Sequence, residues 1–455
     1  MTTRILYLVT APQTTGFLRG NLAYMKSRGF EPIVCSSPGD PLTKTAEMDG
    51  VEYYEIPMQR EIAVFQDIVS LWKLFRLIRK IRPTVVVAAT PKAGLLGMVA
   101  ARIAGVPIRI RILWGLRLET MSGLKRRILW LAEKITSFCS TRYLCDSNSA
   151  KEKVIALEIV RREKSGILAK GMSGGIAPDR FQIDTANLVS AVELSQIHHL
   201  QAYAPAIGTI GRIVKDKGIA ELIEVFKLVL DRYPHARLMI VGEEETGDPI
   251  RRENLEWLKQ HPNVILTGRC DDIVPLYNLF DVLVFPSFRE GFPNVVMEAA
   301  AMGVPTVGFQ ATGVIDAVVD GETGFIVPMK DSAAMADAVL KYLDDPKLRF
   351  NHGLNGRKRV VRDFQPPMLW EAYYREYCEL LRLKNLPIPV PAVEPETLVL
   401  FDTEEDMEEF VTWYAAREVV LKNRNISMIS QEWNIDETEI RKVVENVPNR
   451  VQKTH

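Results

Sequence analysis

Two glutamates, Glu290 and Glu298, stand eight residues apart in the stretch FREGFPNVVMEAAAMGVPTVG, residues 288 to 308. The chain enters it from an apolar run, DVLVFPS, that reads as a strand, so Glu290 falls in the loop beyond. Gly291 permits close approach of the backbone, and Pro293 suits the first turn of a helix. That helix reads NVVMEAAAMG and is expected to stop at Gly303. Glu298 then lies about one turn inside it. A loop carboxylate and a first-turn carboxylate can converge on a ligand outside the carboxyl end of a sheet, where open α/β sheets bind ligands. A carboxylate accepts hydrogen bonds from both hydroxyls of a diol, such as a ribose or hexose presents. The open N–H groups at the helix start favour an anion such as a diphosphate. Taken singly, each glutamate reads equally well as a solvated acid. Their spacing around Gly291, Phe292, Pro293 and Asn294 favours a site.

A second polar group lies in GRIVKDKG, residues 211 to 218. Gly211 ends a strand, and Arg212, Lys215 and Lys217 follow before a helix. Cations there can neutralise a diphosphate leaving group. The alternative is a solvated basic loop, and Lys215 is read that way. The sequence holds no Gly-x-Gly-x-x-Gly and no Gly-x4-Gly-Lys-Ser/Thr, which argues against dinucleotide and P-loop enzymes. It also lacks Asp-x-Asp, the usual carboxylate pair for a metal diphosphate. No metal and no other cofactor is therefore expected.

The elements that must position these residues alternate. Short apolar runs (ILYLVT, EPIVCS, TVVVAA, IRIRILW) are separated by helical patterns in residues 1–190. AIGTIG, RLMIVG, NVILTG, DVLVFPS and PTVGF repeat the scheme from about residue 200. Alternating strands and helices imply parallel sheets covered on both faces. Residues 185–205 read as an interdomain connection. KNLPIPVPAVEP, with prolines 387, 389, 391 and 395, reads as a stiff, extended linker. Beyond it, TEEDMEEFVTWYAAREVVL has helical period, and two short helices are expected around a turn at Asn434.

The stretch around Glu290 and Glu298 resembles the Glu-x7-Glu signature of the retaining glycosyltransferases of family 4. GRIVKDKG, NVILTGR, LYNLFDVLVFPS and DGETGFIVP resemble that family's other blocks, in its order. AKGMSGGIAPDRF, residues 169–181, resembles a segment of its capsule and O-antigen type, with Gly174 and Ala177 replacing the usual Asn and Asp. The resemblance implies an α/β protein of GT-B fold: two doubly wound Rossmann-like domains facing across a cleft. The expected division is an acceptor-side domain at 1–190, a nucleotide-sugar-binding domain at 200–365 and a helix at 366–386 crossing back to the first domain. A Pro-rich linker at 387–395 and an acidic helical extension at 396–455 complete it. The resemblance further implies that Arg212 and Lys217 stabilise the diphosphate. Gly268 and Arg269 then meet the base, Thr312 and Gly313 lie by the sugar or diphosphate, and Gly16 approaches the phosphate. Many members present a His from the first domain, and here Trp114 stands in its place. Such enzymes are thought to let the departing diphosphate oxygen take the acceptor proton, which demands no protein base.

Formal net charge is zero but unevenly spread. Residues 1–190 hold 28 Lys and Arg against 16 Asp and Glu, whereas residues 391–455 hold 7 against 14. A basic first half suggests an anionic partner. The basic-aromatic stretches WKLFRLIRKIR (72–82) and LKRRILW (124–130) read either as packed helices or as membrane-surface helices, with Trp72, Phe75 and Trp130 inserting. Five scattered cysteines fit a reducing compartment. No signal peptide and no spanning run of about 18 apolar residues is read. The expected location is cytoplasmic, or peripheral on the inner face of the cell membrane.

The resulting expectation is a retaining hexosyltransferase that moves a hexose or N-acetylhexosamine from a nucleoside diphosphate sugar, UDP-linked, to a lipid-linked glycan in surface polysaccharide synthesis. Glu290 would orient the sugar and Glu298 hold the ribose diol. Nucleic acid is not an expected partner, since the tail shows no basic face. The extension is expected to bind a protein partner. The rivals are a nucleotide-sugar 2-epimerase on the same fold and a non-catalytic nucleotide-sugar-binding scaffold.

Overall fold

The computed structural model describes residues 3–447 apart from 60, 62, 182–183, 199, 201–203, 246 and 392–402. The described residues form two units. The first takes 3–175, Glu290–Phe292 and 366–391, and the second takes 176–289, 293–365 and 403–447.

In the first unit, seven strands make one sheet: β1 (Thr3–Leu8), β2 (Phe30–Ser36), β3 (Glu52–Glu55), β4 (Val85–Ala88), β5 (Ile108–Leu113), β6 (Arg142–Cys145) and β7 (Ser165–Gly166). Their order is β3-β2-β1-β4-β5-β6-β7, and every pair is parallel. The alternation of side chains along β1 sorts the two covering layers. Ile5, Tyr7 and Val9 pack with Leu22 and Met25 and with Tyr373, Tyr377 and Leu381 of the helix Pro366–Leu383. Leu6 and Leu8 meet the opposite layer, helices Val64–Ile81 and Pro91–Ile103. The helix Gly123–Cys139 lies alongside Pro91–Ile103 in that layer. The segment read as a stiff, extended linker begins packed on this unit, with Leu386 and Ile388 against its core. Residues 392–395 of that segment lie outside the described residues.

The second unit holds six strands: β8 (Ala206–Ile210), β9 (Arg237–Val241), β10 (Val264–Gly268), β11 (Val282–Phe285), β12 (Thr306–Phe309) and β13 (Gly324–Val327). Their order is β10-β9-β8-β11-β12-β13, again all parallel, with the direction of winding reversing between β8 and β11. The chain joins this unit at Ile176, ahead of the 190 boundary read from the sequence. The cause is local: the Ile176 N–H donates to the Phe364 carbonyl at 2.8 Å, and Phe181 is buried against Tyr277. Residues 185–205 likewise contain a helix, Thr185–Ile197, capped by Asp184 and burying Leu188, Ala191 and Val192.

The C-terminal extension is helical, as expected: Thr403–Lys422, Ile426–Trp433 and Glu437–Glu445, with Asn434 at φ +55 ending the second. It is not a free-standing module. Phe410, Trp413 and Tyr414 are buried within the second unit. Arg357 grips Asp406 with two hydrogen bonds, at 2.8 and 2.5 Å. Glu418, fully buried, accepts from Arg349 at 2.9 Å and Arg417 at 3.0 Å. Lys422 reaches Asp281, the residue before β11, at 2.8 Å.

Candidate active site

The carboxyl ends of β8, β9 and β10 are stitched together through glycines. The Gly211 N–H donates to Val241 O, and the Gly242 N–H donates to Gly268 O, both at 2.9 Å. Gly242 has φ +147, and a Cβ there would fall 2.0 Å from the Gly211 carbonyl oxygen, so a side chain would force the strands apart. The three strand ends thus form a floor of bare backbone.

Two loops border this floor. The loop after β8 carries Arg212 and a short turn, Lys215–Lys217. It ends at Gly218, which has φ +66 and whose Cβ would lie 2.1 Å from the Pro286 carbonyl oxygen. Only glycine lets this loop lie so close to the end of β11. Asp216 completes the junction: it accepts from Arg289 at 2.5 Å, while its carbonyl accepts from the Phe288 N–H at 3.0 Å. Lys217 is thereby held over the Phe285 ring, its Nζ 5.4 Å from the centroid. Arg212, half-exposed, is ion-paired with Glu245 of the loop after β9. The sequence reading treated Asp216 as part of a basic loop and left out its pair with Arg289. No local pattern announces a partner 73 residues away.

The loop after β11 leads into the helix Asn294–Ala301, with Pro293 at its N-cap and no side chain capping it. Its first N–H groups face the carboxyl edge of the sheet, the arrangement that attracts anions. Glu298 lies in the helix and is buried. Its Oε2 accepts from the Tyr277 hydroxyl at 2.8 Å, and its other oxygen makes no hydrogen bond to a described residue. Burial pushes the Glu298 carboxyl above its ordinary range, and the Tyr277 hydrogen bond and the Arg180 charge offset part of that. Tyr277 was missed from sequence, where it sits in an apolar run. Gly268 and Arg269 end β10, and the Arg269 side chain is exposed. Thr312 and Gly313 precede the short helix Val314–Ala317 after β12.

The second unit therefore gathers Arg212, Lys217, Gly268, Arg269, Pro293, Asn294, Glu298, Thr312 and Gly313 at one sheet edge. Gly16, Glu290, Gly291 and Phe292 group instead with the first unit. There Gly291 is pressed against the backbone of Trp114 and Gly115: a Cβ on it would lie 2.7 Å from the Trp114 carbonyl carbon. Phe292 lies beside Gly171. Gly16 sits in the turn Pro12–Leu18 after β1, with open space where a side chain would be. Trp114 follows β5 and meets Phe17 edge-on at 5.4 Å. Its indole N–H is buried with no partner among the described residues, so this tryptophan offers an unused donor. Asp146, after β6, is a buried carboxylate that accepts from Ser173. Burial pushes it up to about 7, against the pull of Ser173 and Arg111. The helix that follows, Asn148–Ala156, is capped by the neighbouring Ser147 and not by Asp146.

Two families match the chain: one described as glycosyl transferases group 1 over residues 204–345, the other as a glycosyl transferase 4-like domain over residues 17–166. A capsular polysaccharide biosynthesis glycosyltransferase of Staphylococcus aureus, CapM, is 40% identical over 379 residues, covering 83% of this chain and 98% of that one. An Escherichia coli UDP-Gal:alpha-D-GlcNAc-diphosphoundecaprenol alpha-1,3-galactosyltransferase is 25% identical over 73% of this chain and 84% of its own length. Among solved structures, Anabaena Alr3699/HepE in complex with UDP-glucose superposes with a TM-score of 0.68 at 17% identity, covering 83% of this chain and 99% of that one. This last likeness bears on the fold alone.

Proposed function

This chain belongs to the group 1 glycosyl transferases, and we propose that it moves a hexose or N-acetylhexosamine from a UDP sugar to a lipid-linked glycan, with retention at the anomeric carbon. The observation that carries this reading is the floor of Gly211, Gly242 and Gly268, with Arg212 and Lys217 on one side and the open start of the Glu298 helix on the other. Bare backbone admits a flat nucleotide. Two cations and a helix start then meet its diphosphate, whose charge grows as the sugar leaves.

In this reading Glu298, anchored by Tyr277, takes the ribose diol with its remaining oxygen. Lys217 and Arg212 stabilise the leaving diphosphate, and Arg212 exchanges Glu245 for phosphate oxygens. Glu290 orients the sugar hydroxyls. Within the first unit, Gly16 and the Trp114 indole N–H are the groups left open to an acceptor. The residues supply no Asp-x-Asp pair, so the transfer runs without a metal. No helix among the described residues is long and apolar enough to cross a membrane. A lipid-linked acceptor would therefore be met at the bilayer surface.

A thermal-shift screen of UDP, GDP, ADP and TDP sugars tests the donor. Stabilisation by a UDP sugar, lost in Glu298→Gln, is expected. Stabilisation by another nucleotide alone would overturn the UDP assignment.

A further inference from the structure

The first unit leaves a large apolar surface uncovered, and that surface is not where the aromatic residues alone would place it. Trp130 turns inward and donates from Nε1 to Leu157 O at 2.8 Å, and Phe75 packs on the core. What the helix Val64–Ile81 exposes is Val64, Phe65, Ile68, Val69 and Trp72, with Phe65 87% exposed. The helix Gly123–Cys139 exposes Leu124, Ile128, Leu131, Ile135 and Phe138, spaced four, three, four and three residues apart. Both sets follow one helical face. Both helices flank Pro91–Ile103 in a single layer, tied by Lys92 to Asp67 at 2.6 Å and by Arg102 lying 4.2 Å from the Phe138 ring.

Charge says what this face meets. The three helices carry ten Lys and Arg and two acids, Asp67 and Glu133. Asp67 is paired with Lys92, and Glu133 is buried against Arg111. Arg76, Arg79 and Lys80 continue the exposed face of the first helix, and Lys125, Arg126 and Arg127 open the third. An apolar stripe edged by cations, with no exposed acid on the three helices and the nearby Glu61 paired to Arg117, fits an anionic lipid surface. A second copy would press cations on cations. Arg76, stacked 4.6 Å from the Trp72 ring, can keep its charge at headgroup level while the ring inserts.

We propose that the outer face of helices Val64–Ile81 and Gly123–Cys139 docks this chain on an anionic bilayer. The exposed half of the first helix is its N-terminal half. In a parallel β-α unit that half lies at the carboxyl edge of the sheet, the edge that also carries Gly16 and Trp114. Docking this way holds that edge near the lipid. The proposal does not depend on the donor or the reaction, because vesicle binding needs neither.

The test is flotation of the full chain with vesicles of phosphatidylcholine alone or with phosphatidylglycerol. Binding only to the anionic vesicles, weakening as salt rises, is expected. K125E/R126E/R127E should weaken it at least about 100-fold, from roughly fivefold per cation near the surface. F65S/I68S/W72S should weaken it while circular dichroism and melting stay as in the parent. Brominated lipid should quench the parent's fluorescence, and Trp72→Phe should remove most of that quenching. Equal binding to neutral and anionic vesicles, no binding to either, or unchanged binding by both triple variants would overturn the proposal. So would a dimer, seen by light scattering, that the same substitutions dissociate without any vesicle binding.

Discussion

Glu418→Gln should unfold the second unit far more easily than a surface substitution would. Glu418 is fully buried and faces Arg349 at 2.9 Å, Arg417 at 3.0 Å and Arg424 at 3.7 Å. Asp281 is the other acid of the cluster, held by Arg349 at 3.0 Å and Lys422 at 2.8 Å. Burial opposes the charge on Arg349, but Glu418 and Asp281 more than offset it and hold its pKa above the ordinary value. Glutamine keeps the shape and one acceptor but removes the charge, so Arg349, Arg417 and Lys422 are left to one buried acid while Arg424 keeps Glu432. Breaking a buried pair from one side costs about 3–5 kcal/mol. For a unit of this size that lowers the melting temperature by roughly 6 to 20 °C. Differential scanning calorimetry, with proteolysis to assign the transition, measures it. The pair R349M/E418L should lose less than Glu418→Gln alone, because it removes one of the cations that Glu418→Gln leaves short of an acid. The same cluster sets an acid limit. Burial would raise the Asp281 pKa, but Lys422, Arg349 and Arg417 hold it down to about 2. Its contribution is complete above the unfolded value of about 4 and is lost as pH falls toward 2. A Glu418→Gln protein as stable as the parent within about 0.5 kcal/mol would show that the extension merely rests on the unit.

Three further outcomes follow from the site. Lys217→Ala should cut turnover by about 10² to 10³ with a smaller effect on donor KM; unchanged turnover would remove Lys217 from the diphosphate. Tyr277→Phe should raise donor KM by roughly 10- to 100-fold with kcat little changed, the value of a hydrogen bond to a charged group. It should also cost stability at neutral pH that returns on acidification, since a raised carboxyl pKa penalises the folded state above that pKa and not below the unfolded value of about 4.3; steady-state kinetics and melts from pH 4 to 8 check both. Transfer should persist in EDTA, whereas full loss with recovery on Mn²⁺ or Mg²⁺ would require a metal.

Much of the fold could be read from the chain because its buried strands are apolar runs such as VVVA in β4 and VLVF in β11. Strand β3 could not: EYYE lies at the sheet edge and is mostly exposed, so it carries no apolar signal. The stretch from Phe17 to Arg28, which reads as one helix, divides at Gly20, where Trp370 lies against the backbone and φ is +74. No local rule foretells a contact 350 residues distant. The extension misled for the same reason. It was read as an acidic helical extension for a protein partner, yet its Asp406 and Glu418 serve Arg357 and Arg349, which the sequence sets far upstream. Glu298, Arg212 and Lys217 were expected from spacing and resemblance, and the structure sets them at the carboxyl edge of one sheet. Their supports, Tyr277, Asp216 and Arg289, could not be read that way, because each pairing joins separate loops.

Transfer with retention is read from the anomeric configuration of the product. The full chain is given a UDP-α-sugar and a lipid-diphosphate saccharide, and the transferred sugar's anomeric proton is read by NMR. Transfer is expected, with the α coupling of the donor preserved. A β-linked product, or no transfer from any UDP sugar, would contradict it.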